Sequence, residues 1–164
     1  MEYTTHTKVA IEQMVTTGAF MTTQGNQQVN TMAIAWGSIG FLLGKPVFTA
    51  MIRQYRYTYE LLRKSGEFTI SIPEDKDMAS KVYYCGKHSG REVNKIEACQ
   101  LPLQDARSIA TPIIPCHGVH FECKVLVTQP MTTPLWDSSL QQEHEIEGDP
   151  YIYIIGEICS TYRL

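Results

Sequence analysis

Residues 47–62 read "VFTAMIRQYRYTYELL", where an apolar run changes into two arginines, three tyrosines and a threonine. A strand that ends here and a helix that begins here would bring together the guanidinium groups of Arg53 and Arg56 and the hydroxyl of Thr58. Such a group suits phosphate, because forked guanidinium groups and helix N-termini both favour a dianion. The same arginines also suit a surface role, in which their stems cover apolar neighbours. The stretch on its own leaves both interpretations open.

A phosphate site of this kind is too weak to hold a ligand by itself. Charge-assisted hydrogen bonds contribute roughly 1.5–3 kcal/mol each in net terms, and a helix start adds about 0.3–1 kcal/mol. Immobilising the ligand costs at least about 4 kcal/mol, whereas micromolar affinity needs about 8 kcal/mol. The ligand is therefore expected to bring a planar or apolar portion. Candidate walls for that portion are Trp36, Tyr55, Tyr57 and Tyr59, although a tryptophan on a strand also suits the core.

The composition describes an ordinary globular protein. The 164 residues are 43% hydrophobic and 19% charged, and they fit one domain, which we place at residues 1–164. A net charge of −3 lacks the surplus of cations that nucleic acids require. No apolar run approaches the roughly 18 residues of a membrane span, and the N-terminus lacks a secretory signal pattern. Five irregularly spaced cysteines suggest no disulfide framework and favour a reducing compartment, the cytoplasm.

The spacing of apolar residues predicts the elements on either side of the arginine-rich turn. A short amphipathic helix is expected over residues 8–15, and Gly25-Asn26 is expected to turn a β-hairpin. The segment "KPVFTAMIR" is rich in β-branched and aromatic residues and predicts a strand. A helix should follow from Thr58, as its N-cap, to Lys64, with Gly66 ending it.

The second half of the sequence predicts mainly strands. Alternation in "EFTISIP" and "CHGVHFECKVLVTQ" indicates two strands that each leave one polar face in water. Between them we expect a helix from the acidic "EDKD" to about Tyr84, then a glycine-bounded loop and a connection over residues 101–115. An acidic loop, "QQEHEIEGDP", precedes a final strand. About six or seven strands with two or three helices predict a mainly β fold, a largely antiparallel barrel with flanking short helices.

Three other patterns do not predict a site. His117 and His120 would lie on opposite faces of a strand, so we expect no shared metal site there. The carboxylates of "EHEIEGD" are typical of a solvated loop rather than of a paired acid and base. Neither G-x-G-x-x-G nor the G-K-[ST] of a P-loop occurs, so no nucleotide fingerprint supports a Rossmann domain.

Three segments in a fixed order, "NTMAIAW", "RQYRYT" and "CGKHSGR", give the sequence a family resemblance. With the sequence around them, they resemble the flavin reductase-like, FMN-binding split-barrel proteins, and among these the flavoredoxin-like group. The resemblance extends over most of the chain, from "GAFMTTQGN" to "YIYIIGEI". It implies an antiparallel split barrel that binds FMN at the interface of a homodimer.

The resemblance also implies which residues bind FMN. The first segment would run along the isoalloxazine, the second would lie at the ribityl phosphate, and the third would line the same pocket. The implied cofactor-binding residues are Asn30, Thr31, Met32, Ala33, Trp36, Arg53, Arg56, Tyr57, Thr58, Cys85, Ser89 and Arg91. The sequence departs from the family pattern at Ala33, where Thr is usual, at Tyr55, where Ser is frequent, and at Pro150, where His is frequent.

The function implied by the resemblance is that of an FMN-binding oxidoreductase that passes hydride or electrons through its flavin. NAD(P)H or a redox protein would supply the electrons, and no catalytic side chain is assigned. An alternative is a non-enzymatic split barrel that binds a phosphorylated or heme-like ligand for storage or regulation. A bound chromophore without redox turnover would distinguish that alternative.

Overall fold

Seven strands form one sheet in the computed structural model, which describes residues 3–25, 28–131, 137–144 and 149–164. The strands are β1 Ala19–Gly25, β2 Gln28–Ile34, β3 Gly37–Leu42, β4 Lys45–Arg53, β5 Glu67–Pro73, β6 Gly118–Pro130 and β7 Tyr151–Arg163. Their spatial order is β2-β1-β5-β6-β7-β4-β3, and the pairings between these described strands are antiparallel. The predicted mainly β, antiparallel architecture is confirmed.

Short helices flank the sheet. They are α1 Thr7–Thr16, α2 Tyr57–Ser65, α3 Ala79–Lys87, α4 Lys95–Ala98 and α5 Ser138–His144, and a 3-10 turn at Lys76–Met78 precedes α3. Helix α2 ends at Gly66, whose φ of 68° is the left-handed conformation that glycine adopts without strain. None of the helices among the described residues is long and apolar enough to cross a membrane.

The main hydrophobic core lies inside the curved sheet. Six of the seven strands contribute buried residues to it, and Ile39 of β3 packs against them. Phe48 and Phe121, from strands on either side of β7, meet there with ring centroids 5.4 Å apart. Because residues from nearly every strand meet in one cluster, the sheet must curl around them as a barrel wall does.

A second layer covers the outer face of β5 and β6, where the sequence predicted polar faces in water. Thr69 donates to the carbonyl of Pro112 at 2.7 Å, and Ser71 accepts from the backbone N–H of Ile114 at 3.2 Å. Glu122 is likewise fully buried. The prediction of a solvent-exposed polar face is wrong for β5 and for the first part of β6, because the connection predicted over residues 101–115 lies across them and satisfies their polar groups. It is confirmed at Lys124, which is exposed.

Several predicted boundaries also change. The strand β3, which the sequence did not predict, follows β2 after residues 35–36, and the two strands lie at opposite edges of the sheet. The hairpin itself is confirmed by the pairing of Gly25 with Gln28, while its turn at residues 26–27 lies outside the described residues. Part of the predicted acidic loop belongs to helix α5, and its residues 145–148 are not described.

Candidate functional site

The arginine-rich turn joins the end of β4 to the start of α2. Arg53 is the last residue of β4, and Arg56, with extended backbone, is the N-cap of α2. No described side chain caps this helix, so the prediction that Thr58 is its N-cap is wrong. Residues 149–150 fasten the turn, since the backbone N–H of Tyr55 donates to the Asp149 carboxylate at 3.1 Å and that of Gln54 donates to the Pro150 carbonyl at 3.0 Å.

Arg53 is held by the protein itself. Its guanidinium group lies 3.8 Å from the ring centroid of Tyr151 and donates to the carbonyls of Asp149, at 2.9 Å, and of His144. Both contacts tie the turn to the segment before β7. Arg53 is therefore a wall of the site. Among the described residues Arg56 donates one hydrogen bond, to the Gly86 carbonyl at 3.1 Å, and it faces open space on both sides of the turn.

A large depression of about 320 Å³ opens on one side of Arg56. Its floor is the end of β2 and its side is the end of β4, so the walls are mostly apolar or aromatic. They are formed by Met32, Ala33, Ile34, Ala35, Trp36, Met51, Ile52, Arg53, Tyr55, Arg56 and Tyr151. Trp36 is 44% exposed and packs against Tyr151 with centroids 5.5 Å apart, which makes it a wall rather than a core residue.

A small depression of about 130 Å³ opens on the other side of Arg56 and is strongly polar. Its walls are Met32, Tyr55, Arg56, Tyr57, Thr58, Lys87, His88, Ser89, Gly90, Glu92 and Lys95. They include three cations, four hydroxyl groups and one carboxylate. The two depressions share Met32, Tyr55 and Arg56, so together they form one groove with an apolar part and a cationic end.

The loop after α3 closes the small depression because residue 90 is glycine. A Cβ on Gly90 would lie 2.1 Å from the Asn30 side-chain oxygen and 2.8 Å from the Tyr57 ring. Asn30 in turn donates to the Thr58 hydroxyl at 2.8 Å, which leaves that hydroxyl its own proton to donate. Three predicted site residues, Asn30, Tyr57 and Thr58, are thus brought together by a glycine that the sequence reasoning did not assign to the site.

Lys95 is another wall residue of the small depression that the sequence did not assign to the site. Its side chain is almost completely buried, with 4% exposed, and its ammonium donates to the Cys85 carbonyl at 3.2 Å. Burial lowers the pKa of Lys95 from 10.5 to about 8, and the positive charge of Arg56 adds to this effect. A lysine ten residues beyond Cys85 carries no pattern that predicts burial. Its ammonium would be stabilised by an anion in the small depression.

Four predicted site residues are not among those that line the groove, namely Asn30, Thr31, Cys85 and Arg91. Thr31 is buried and donates to the Met21 carbonyl at 3.2 Å. Cys85 is fully buried beside Phe20 in a second hydrophobic cluster, and burial raises the pKa of its thiol to about 12. The Cys85 side chain therefore does not reach the groove of the single chain, and burial disfavours its thiolate form.

Arg91 lies at the rim. It donates to the Tyr55 carbonyl at 2.9 Å and pairs with Glu60 at 3.2 Å, an exposed contact that braces the turn from outside. Ser89, by contrast, is a wall of the small depression and accepts from the Arg91 backbone N–H at 3.2 Å. Each of the three predicted segments thus contributes residues to the groove, but only some of the residues in each segment line it.

Comparisons with known proteins agree with this architecture. A family profile described as "Flavin reductase like domain" matches residues 11–162. An uncharacterized protein of Archaeoglobus fulgidus is 24% identical over 151 residues, which are 92% of this chain and 75% of the relative. The flavoredoxin of Desulfovibrio vulgaris (Miyazaki F) has a TM-score of 0.69 and 24% identity, covering 90% of this chain and 69% of its own. A protein with a split barrel domain from Shewanella frigidimarina NCIMB 400 has a TM-score of 0.69 and 17% identity, covering 98% and 74%.

The fold is that of a split-barrel protein, and its groove chemically suits an elongated ligand with one planar part and one anionic end. The chain belongs to the family of proteins with a flavin reductase like domain. The resemblance carried by the three sequence segments is confirmed.

Proposed function

We propose that this protein binds FMN in the groove and acts as a flavin-dependent oxidoreductase of the flavin reductase or flavoredoxin type. The observation that carries the proposal is the continuity of the groove across Arg56, from apolar walls to a cationic end. FMN has the matching shape, since a planar ring system is joined through a ribityl chain to a phosphate. Bound flavin supplies the hydride and electron chemistry that no side chain of the chain supplies.

The cationic end fits a phosphate dianion. Arg56, Lys87 and Lys95 face one carboxylate, Glu92, in the small depression, so a dianion balances charge that the protein leaves unbalanced. Thr58 and Ser89 add hydroxyl groups, and the start of α2 adds its positive dipole end. These residues would hold the phosphate, and their fixed positions would set the direction in which the ring system lies.

The large depression fits the ring system. Met32 and Ala33 belong to its walls as the resemblance implied, and Trp36 contributes an exposed aromatic face. Ala33 lacks the hydroxyl that the family usually has there, so contact at this position is left to backbone groups. Tyr55, in place of a small hydroxyl residue, lines both depressions and is 57% exposed. Its ring would cover the ribityl chain rather than bind the phosphate.

A homodimer in the cytoplasm is the proposed form of the protein. Apolar side chains around the groove, among them Trp36, Tyr55 and Tyr83, are 44%, 57% and 67% exposed, and a second copy would cover them. Electrons would come from NAD(P)H or from a redox protein. The cysteines are all in the described part of the chain and are all free thiols, as a reducing compartment favours.

The experiment that tests the function is direct. The purified protein should show a flavin absorption spectrum, and denaturation should release FMN rather than riboflavin or FAD. Steady-state turnover with NADH or NADPH, with and without added flavin, separates a reductase from an electron carrier that keeps its FMN. A protein that carries no flavin and takes none up on reconstitution refutes the proposal, and flavin without any redox turnover would leave a storage module instead.

A further inference from the structure

Beside the large depression lies a third cavity, of about 380 Å³, next to helix α5. We call it the side pocket. Trp36, Met51 and Tyr151 line both cavities, so a molecule in the side pocket would touch the same side chains as the proposed cofactor. We propose that the side pocket binds a small, neutral aromatic compound adjacent to the flavin, an inference that rests on the proposed function.

The walls of the side pocket favour an aromatic ring. Besides the three shared residues they comprise Met131, Leu140 and Tyr153. Leu140 is 47% exposed and Tyr153 is 39% exposed, so part of the apolar wall is uncovered. Methionine sulfur atoms and aromatic edges both make favourable contacts with a ring, and they adapt to different substituents. The volume lies near the lower end of the range of small-molecule sites, about 300–1,000 Å³, and suits a single ring system.

The polar groups of the side pocket disfavour an anion. Among the described lining residues, the ionisable groups besides tyrosine are Asp137 and His144, and there is neither lysine nor arginine. Hydrogen bonds from the side chain and backbone of Ser139 hold the pKa of Asp137 below 3.8, so its carboxylate is charged at neutral pH. An aromatic carboxylate would meet this charge, whereas a neutral ketone or aldehyde would not.

His144 supplies a second polar contact in the wall, besides Asp137. Its ring meets Trp36 edge-on with centroids 5.2 Å apart, and its backbone carbonyl accepts from Arg53. The imidazole is therefore fixed between the side pocket and the wall of the large depression. Nε2 of His144 lies 3.4 Å from the Glu143 carboxylate, so Nδ1 is the ring nitrogen left for a polar group of the ligand, which selects a ring that carries one such group.

The test compares acetophenone with benzoate, which share ring and size but differ in charge. Both are titrated into the FMN-loaded protein by calorimetry, with the flavin absorption spectrum recorded at each step. Acetophenone should bind at least about ten-fold more tightly than benzoate and should perturb the flavin spectrum. Leu140→Ala should weaken acetophenone about five-fold, in keeping with about 1 kcal/mol for the lost apolar contact. Leu103→Ala, a change at a leucine of similar exposure, 41%, outside the side pocket, should have no effect.

A second variant isolates the charge. Asp137 accepts from the Ser139 backbone N–H at 2.9 Å at the start of α5, and asparagine keeps such a cap. Asp137→Asn should therefore leave the helix in place and bring benzoate affinity to within about two-fold of acetophenone affinity. Equal binding of the two compounds to the unaltered protein, no binding of acetophenone at millimolar concentration, or equal effects of Leu140→Ala and Leu103→Ala would overturn the inference.

The same titrations separate this inference from the proposed function. If the protein takes up FMN but ignores acetophenone, only the side pocket is refuted. If it takes up no FMN, the proposed function fails, and the side pocket is then judged on the flavin-free protein, because its described walls are all protein side chains.

Discussion

Replacing the buried Lys95 by methionine should stabilise the flavin-free protein and weaken flavin binding at the same time. The methionine retains most of the apolar stem but removes the ammonium. Lys95 is 4% exposed, and burial lowers the pKa of its ammonium from 10.5 to about 8. At about 1.4 kcal/mol per pKa unit, this depression corresponds to about 3 kcal/mol of unfavourable burial at neutral pH. The lost hydrogen bond to the Cys85 carbonyl offsets roughly 1 kcal/mol. The net gain expected is about 1–3 kcal/mol.

The pH dependence follows from the direction of the shift. Between pH 8 and 10.5 the unfolded chain holds the Lys95 proton more tightly than the folded chain does, so the free energy of unfolding rises with pH in that window. In Lys95→Met this pH dependence is absent. The gain in the free energy of unfolding over the unaltered protein should therefore be constant below pH 8 and vanish by about pH 10.5. Chemical denaturation of both proteins at pH 7, 8, 9 and 10 measures this difference in the free energy of unfolding.

Flavin binding should change in the opposite direction. A charged hydrogen-bond partner of the phosphate contributes roughly 1.5–3 kcal/mol, so Lys95→Met should weaken FMN about ten- to one-hundred-fold. Lys87→Met, which removes an exposed cation from the same depression, should weaken FMN less and leave stability unchanged, and Lys8→Met, on the exposed face of α1, should alter neither. The reasoning is refuted if Lys95→Met destabilises the flavin-free protein or leaves FMN affinity intact.

Substitutions at four further positions test separate parts of the structure. Arg56→Gln should weaken FMN at least about ten-fold but leave riboflavin nearly unchanged, whereas Arg53→Gln should weaken both, because it releases a wall; equal behaviour of the two variants in fluorescence titrations would contradict this assignment. Gly90→Ala should displace the Asn30 side chain, whose oxygen would lie 2.1 Å from the new Cβ, and cost about 1–3 kcal/mol together with FMN affinity, while Gly40→Ala, where nothing lies within 4 Å of the Cβ, serves as the control in both assays. Burial raises the pKa of Glu122, but hydrogen bonds from Arg107, Ser108 and Tyr162 outweigh it and leave the pKa below 4.5. The Glu122 carboxylate therefore stabilises the fold above that pH, and this contribution is lost as the pH falls. Glu122→Gln should lower the free energy of unfolding at pH 7, measured by chemical denaturation, by about 2–4 kcal/mol, and this free energy should fall less steeply with acid than in the unaltered protein. An unchanged acid profile would contradict this role of Glu122.

The parts of the fold that were predicted correctly depend on local signals. Alternation along "EFTISIP", the glycine that ends α2 and the hairpin after β1 are all properties of a few neighbouring residues. The burial of the outer face of β5 and of the first part of β6 was missed. The hydrogen-bond partners of Thr69 and Ser71 are Pro112 and Ile114, which lie more than 40 residues away in the sequence. No local pattern reports such a contact.

The same distinction applies to the groove. The three sequence segments include the turn and the neighbouring end of β2 that line the groove, because these residues are specified by type and order. Thr58 was misassigned as a helix cap, since its partner is Asn30, 28 residues earlier. Lys95 was overlooked because its burial results from packing against α3. That residues 1–164 form one domain, and that the groove binds FMN, stay predictions.

The central claim is that the cationic end of the groove holds the phosphate of FMN. The most direct test is to titrate the flavin-free protein with FMN and with riboflavin under identical conditions at pH 7. We expect one FMN bound per chain and riboflavin at least about ten-fold weaker, in line with one or more charge-assisted hydrogen bonds to the phosphate. Equal affinities for the two flavins, or binding of neither, would contradict it.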